Sequence, residues 1–168
     1  NMSLNSGVCR VADLLAQNGK VGLGVDGAAS NNTSDMIAEM RLSYLAGQLQ
    51  YGNRGPTAEQ VLEMATLGGA RVLGRQDAIG SLEAGKKADI VVFDPYRSPK
   101  SIPMHNPVST LVYASTMQDI ESVLVDGEYV MKNGVITGVA DEREFLYRAQ
   151  KTADALCESG GITNRGTG

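Results

Sequence analysis

The hydrophobic period of this chain changes near residue 75, and neither a helical bundle nor a single sheet accommodates both parts. Before that point apolar residues recur at helical spacing, as in Val8, Val11, Leu14 and Leu15, then Met36, Ile37, Met40, Tyr44 and Leu45, then Val61, Leu62, Met64 and Ala65. After it, "DIVVFD" and "SVLVDGEYVMKNGVITG" are β-branched runs of strand length, the second punctuated by Asp126-Gly127 and Asn133-Gly134, dipeptides that favour tight hairpin turns. The chain reads as α/β, with helices around one strand up to about residue 74 and a small antiparallel β unit beyond.

Local signals set the expected elements. A helix over 7–17 should stop at Asn18-Gly19, and "KVGLGVD", residues 20–26, reads as a short buried strand ending on Asp26. A loop of small and amide residues runs through Thr33, and Ser34 is placed to cap a helix that ends near Gly52. Thr57 and Gln60 form a capping box for the next helix, which Gly68-Gly69 should interrupt before a turn through Leu73. A last helix over about 141–158, with Phe145, Leu146, Ala149, Ala153 and Leu156 on one side, leads to a Gly-rich tail expected to be loose.

Bulk properties narrow the function classes. Fifteen Lys and Arg stand against nineteen Asp and Glu, for a net charge of −4, without a basic run that could neutralise a row of phosphates, so no nucleic acid is expected as a partner. No apolar run approaches the roughly 20 residues of a membrane span, and the start of the chain lacks signal-peptide character, so no membrane partner and a cytoplasmic location are expected. Cys9 and Cys157 have no C-x-x-C partner and read as two reduced structural thiols. The chain opens on Asn1 without an initiating Met, which suggests a piece of a longer protein.

The segment "VGLGVDGAASNN" allows three readings. Gly22, Gly24 and Gly27 spell G-x-G-x-x-G, but a dinucleotide site needs a helix starting at its third glycine, and here Asp26 would place like charge beside a pyrophosphate. In a second reading the glycines permit close packing and Asp26 only caps a loop. In the third, a carboxylate at the C-terminal end of a buried strand, followed by a loop and a helix, stands where an α/β barrel places catalytic groups, able to ligate a divalent metal and accept a proton from water.

Taken in order, "VGLGVDGAASNN" with "DMIAEMRLSYL", "TAEQVLEMATLGGARVLG", "IGSLEAGKKADIVVFD" and "VLVDGEYVMKNG" resemble the C-terminal portion of the amidohydrolase superfamily, over the chain to about residue 158. The nearest branch is that of the deaminases and aminohydrolases of purines, pterins and s-triazines. The resemblance implies the C-terminal part of a metal-dependent (β/α)8 barrel plus part of a small β-sandwich: residues 1–74 for the last barrel strand and helices, 75–140 for the sandwich part, 141–168 for a C-terminal helix and tail. Asp26 then matches the aspartate that ligates one divalent metal and shuttles a proton. Zinc is the first expectation and iron the second, with the other ligands outside this chain.

The implied reaction is hydrolytic deamination: activated water attacks a ring carbon bearing an amino group, Asp26 takes up a proton, and ammonia or an amine leaves. The partners implied are a small heterocyclic substrate, the missing N-terminal barrel portion and, for the full-length protein, further copies of itself. Ser30 and Asn31 are candidate substrate contacts, whereas Glu39 and Arg41 read as structural and Lys86, Lys87 and Asp89 as turn and surface residues. The family's histidines and acid/base glutamate lie on earlier strands, and the one histidine here, His105, stands in the β-rich segment and reads as structural or surface. A complete barrel needs at least about 200 residues, so the isolated chain is expected to be inactive. A cyclic-amide hydrolase of the same superfamily and an inactive fragment serving as an interaction domain are the alternatives.

Overall fold

Helix α1 (Val11–Ala16) ends in a Schellman turn, in which the Gly19 and Asn18 N–H groups donate to the Leu14 and Leu15 carbonyls at 2.9 and 3.0 Å. Asn18, at φ +55°, takes the left-handed position, while Gly19 is required because a Cβ there would lie 2.9 Å from the Leu14 oxygen. The helix is shorter than the expected 7–17, since Gly7 at φ +91° and a non-helical Arg10 keep its first residues out. The computed structural model describes residues 5–162 and divides into two compact units, one through Gly134 and one from Val135.

Residues 20–26 correct the strand expectation. They run without a turn or bend, an extended course that Asp26 ends, but belong to no sheet, because among the described residues no strand lies alongside to complete a ladder. Their one backbone anchor to the helices is the Leu23 N–H, which donates to the Met64 carbonyl at 2.9 Å. Val21 and Leu23 pack on the core, and the backbones meet through glycine: a Cβ on Gly22 would lie 2.8 Å from the Gly69 Cα, and one on Gly68 would lie 2.5 Å from the Val21 oxygen.

Helix α2 (Met36–Tyr51) is capped by Asp35, not by Ser34. The Asp35 carboxylate accepts from the Ile37 and Ala38 N–H groups at 2.9 and 3.3 Å, while Ser34 sits at φ +46° in the preceding turn. The helix stops at Gly52, as expected, in a positive-φ conformation (+56°). Met40 is its buried anchor, whereas Leu45, expected inward, is 41% exposed.

The Thr57–Gln60 capping box is present, with the Gln60 N–H donating to Thr57 Oγ1 and the Thr57 N–H to Gln60 Oε1. It opens α3 (Ala58–Glu63), and Gly68-Gly69 does not break the run: a π-helical turn (Met64–Gly68) carries it into α4 (Gly69–Val72). The glycines serve contact with the 21–22 backbone and not helix termination. Met40, Ala58, Val61, Met64 and Val112 form the buried core, with Val112 contributed by the helical segment α5 (Pro107–Ser109) and the π-helical turn Thr110–Ala114 that continues it.

The β unit begins with β1 (Ile90–Phe93), which pairs antiparallel with β2 (Ile120–Val125), itself antiparallel to β3 (Glu128–Lys132). Asp126 and Gly127, at φ +52° and +87°, make the β2–β3 turn, and Asn133-Gly134 repeats this pair of left-handed conformations after β3. The turn is fastened by the Asp126 N–H donating to Asp89 Oδ1 (2.8 Å) and by Lys87 Nζ donating to Asp126 Oδ2 (2.7 Å).

The second unit holds a two-residue strand β4 (Val135–Ile136) and helix α6 (Glu142–Ser159), within a residue of the expected 141–158. Asp141 caps α6, and Phe145, Leu146 and Leu156 on its apolar side stay exposed. The expected loose tail falls largely on residues 163–168, outside the described residues. Cys9 and Cys157 are unpaired, as expected, but exposed instead of structural. Among the described residues no helix is long and apolar enough to cross a membrane.

Two outcomes follow for the full-length protein. Gly68→Ala pushes a Cβ into the Val21 carbonyl and should lower stability by about 1–3 kcal/mol, while Gly24→Ala, which meets nothing within 4 Å, should cost well under half of that; urea midpoints read the difference. Second, Asp13 Oδ2 accepts from Tyr51 Oη (2.9 Å) and Arg10 Nε (2.7 Å), and these bonds, Tyr51's first, hold the Asp13 carboxyl below its ordinary range. A depressed folded-state pKa gives stability that is complete above the unfolded value near ~4 and lost as pH falls through the folded one. Melting temperatures of wild type and Tyr51→Phe should therefore differ most near neutrality and converge below about pH 4.

Candidate functional site

The site is built where the extended segment ends. Asp26 occupies the left-handed region at φ +63°, a conformation that Asp tolerates through its short polar side chain, and the chain turns there into the loop before α2. The Gly27 N–H donates to Asp26 Oδ1 at 2.7 Å, and no hydrogen bond among the described residues engages Oδ2. The carboxylate is exposed and lines a cavity of about 450 Å3 together with residues 21–25, Ser30, Asn31 and Glu39.

The loop is organised by one carbonyl and one amide. The Ser30 and Asn31 N–H groups both donate to the Gly27 oxygen, at 2.9 and 3.0 Å. Asn31 Oδ1 accepts from the Thr33 N–H (3.3 Å) and from Thr33 Oγ1 (2.8 Å), while Asn31 Nδ2 donates to Glu39 Oε1 at 2.6 Å. The Asn31 side chain is thus largely committed to holding the loop, and the Ser30 hydroxyl, half-buried and without a hydrogen-bond partner among the described residues, is the freer group at the cavity.

Three of the residues singled out in the sequence, Asp26, Ser30 and Asn31, are therefore brought to one cavity. Glu39, read as structural, joins them there, a role no periodicity announces because it depends on the loop folding back onto the first turn of α2. Arg41 points elsewhere and stacks over the Tyr113 ring at 5.5 Å. Lys86 is not a surface residue as expected: its side chain is 12% exposed and donates to Ser81 Oγ and Glu83 Oε1. His105 is exposed and does not line the cavity.

The donor set is that of one ligand. A carboxylate with a free oxygen at an exposed chain turn suits a divalent cation, but among the described residues no group of three or more His, Cys, Asp or Glu side chains could enclose one. Asp26 can supply part of a coordination shell and not the shell.

Residues 1–130 match the model of the amidohydrolase family. The chain is 46% identical over 162 residues to a 5-methylthioadenosine/S-adenosylhomocysteine deaminase of Desulforudis audaxviator, covering 95% of this chain and 37% of that protein. It is 34% identical to a 5'-deoxyadenosine deaminase of Methanobrevibacter smithii, again over 95% of this chain and 37% of the relative. Among solved structures, an adenosine deaminase from Xanthomonas campestris with bound zinc superposes with a TM-score of 0.86 at 32% identity, over 93% of this chain and 35% of that one. A zinc complex of atrazine chlorohydrolase from Arthrobacter aurescens superposes at 0.79 with 27% identity, over 89% and 33%. The chain thus spans about a third of the length of the relatives it matches, and its α/β fold is part of their barrel architecture. With its motifs in order, its first 130 residues matched and its fold shared, the chain belongs to the amidohydrolase family.

Proposed function

We propose that this chain is the C-terminal portion of a metal-dependent aminohydrolase that removes the ring amino group of an adenine nucleoside altered at its 5' position. The observation that carries the reading is the Asp26 carboxylate, held by the Gly27 N–H through one oxygen and free at the other, at the end of the extended segment and in the lining of the cavity. The substrate class is supported by the relatives named as deaminases of 5-methylthioadenosine, S-adenosylhomocysteine and 5'-deoxyadenosine.

Asp26 supplies one metal ligand, and the remaining ligands come from outside this chain. When bound, zinc provides a Lewis acid that brings the pKa of a water molecule near neutrality. The work of this chain is proton transfer and positioning. As the water oxygen bonds to the ring carbon, the Asp26 carboxylate accepts the water's proton and delivers it to the amino nitrogen, the carbon–nitrogen bond breaks and ammonia leaves. Ser30 offers its unpaired hydroxyl to the substrate, and Asn31, with one amide hydrogen still uncommitted, is the second polar contact.

The β unit is proposed as part of a β-sandwich completed elsewhere. Its support is the sheet itself: Val91, Val92, Val125, Tyr129 and Val130 are each more than a third exposed, and a sheet with apolar residues on its surface wants a covering layer. The same residues 75–140 then form the sandwich part, with 1–74 as the barrel end and 141–168 as a terminal helix and tail.

Asp26→Asn in the full-length protein keeps the side-chain size but gives up the charge and the proton acceptor. Ammonia release from 5'-deoxyadenosine should fall by about 10³-fold or more, and bound zinc, read by atomic emission, should fall with it. An Asp26→Asn protein that keeps both its turnover and its metal would refute the assignment.

A further inference from the structure

We propose that Glu39 is a positioning residue of this site, a role that rests on the functional reading above and extends it to a residue that touches neither substrate nor metal. The path is short and continuous. Glu39 Oε1 accepts from Asn31 Nδ2, the Asn31 and Ser30 N–H groups donate to the Gly27 oxygen, and the Gly27 N–H donates to Asp26 Oδ1. Residues 27–29 are Gly-Ala-Ala and carry no polar side chain that could fasten the loop. Among the described residues the Asn31–Glu39 bond is the one side-chain hydrogen bond that joins loop 27–33 to α2.

Chemistry fixes its orientation. An ionised carboxylate only accepts, so Asn31 must present its NH2 to Glu39 and its oxygen to the two Thr33 donors, and both ends of the amide are satisfied in that arrangement alone. The bond is short, 2.6 Å, and a carboxylate acceptor puts it in the charge-assisted, stronger class. Glu39 itself is held by α2, whose start is pinned by the Asp35 cap and whose Met40, the next residue, is buried in the core. The helix thereby transmits a fixed position to the Asn31 amide, and the amide transmits it to the backbone on which Asp26 and Ser30 are mounted.

The test uses the full-length protein with Glu39→Gln, Glu39→Ala, Asn31→Asp and the double variant Asn31→Asp/Glu39→Gln. The amide oxygen introduced by Glu39→Gln still accepts the Asn31 bond, so kcat should stay within about threefold of wild type, whereas Glu39→Ala should lose about 30- to 100-fold in kcat with KM nearly unchanged, the scale of a lost orienting contact. Asn31→Asp sets two carboxylates against each other and should be as damaging as Glu39→Ala. In the double variant the new amide donates to the new carboxylate, so most of the lost kcat should return, a rescue that a general loss of stability does not give, while KM stays raised because residue 31 no longer offers an amide hydrogen to the substrate. Amide exchange over residues 26–33 should rise in Glu39→Ala and Asn31→Asp only.

A Glu39→Ala enzyme with wild-type kcat overturns the proposal. So does a Glu39→Gln enzyme as impaired as Glu39→Ala and missing one limb of the pH profile, because Glu39 would then handle protons itself. A wild-type protein that releases no ammonia from adenine nucleosides overturns the functional reading instead. The exchange pattern then decides the clamp alone: the expected pattern upholds it, and unchanged exchange in Glu39→Ala refutes it.

Discussion

Everything placed at the cavity depends on two backbones meeting without side chains between them. Residues 21–22 lie directly on the turn Gly68-Gly69, close enough that a methyl group on Gly22 or Gly68 would sit within 3 Å of backbone atoms. That approach allows the Leu23 N–H to reach the Met64 carbonyl, which is the segment's one hydrogen bond to the helical run. Without it, an extended segment that has no sheet to join would keep the packing of Val21 and Leu23 on the core but lose its backbone anchor, and Asp26 at its end would be less firmly placed.

The π-helical turn serves the same purpose. It lets α3 pass into α4 without a break while Met64 and Val61 remain buried and Gly68 turns toward the extended segment. Among the described residues the core behind this contact is small, five buried apolar residues with partly covered neighbours, and many large apolar side chains stay open, Leu49 at 91% and Leu82 at 76% among them. Apolar surface of that kind is expected of a part that packs against more of its own protein, in keeping with relatives about three times as long.

Much of this was legible in the residues because local chemistry decided it. The Thr57–Gln60 box, the Asp126-Gly127 turn, the stop at Gly52 and helix α6 each follow from side chains within a few positions of one another. The misreadings share a different cause. Segment 20–26 has the composition of a buried strand, but strand status depends on neighbours that the sequence of one strand does not contain. Gly68-Gly69 reads as a helix breaker until the Val21 carbonyl explains it as a contact, and Ser34 loses the cap to Asp35 because the chain turns through positive φ just before the helix. At the site, Asp26, Ser30 and Asn31 stood out by their place in the motif, whereas Glu39 became visible only once Asn31 was seen to donate to it.

What is proposed for the site turns on Asp26 contributing a ligand to a metal whose other ligands lie outside this chain. Its most direct test is a crystal structure of the full-length protein with anomalous data on either side of the zinc absorption edge. An anomalous peak about 2.0–2.2 Å from an Asp26 carboxylate oxygen, with imidazole nitrogens completing the shell, is expected. A metal bound elsewhere, with Asp26 turned away into solvent, would contradict it.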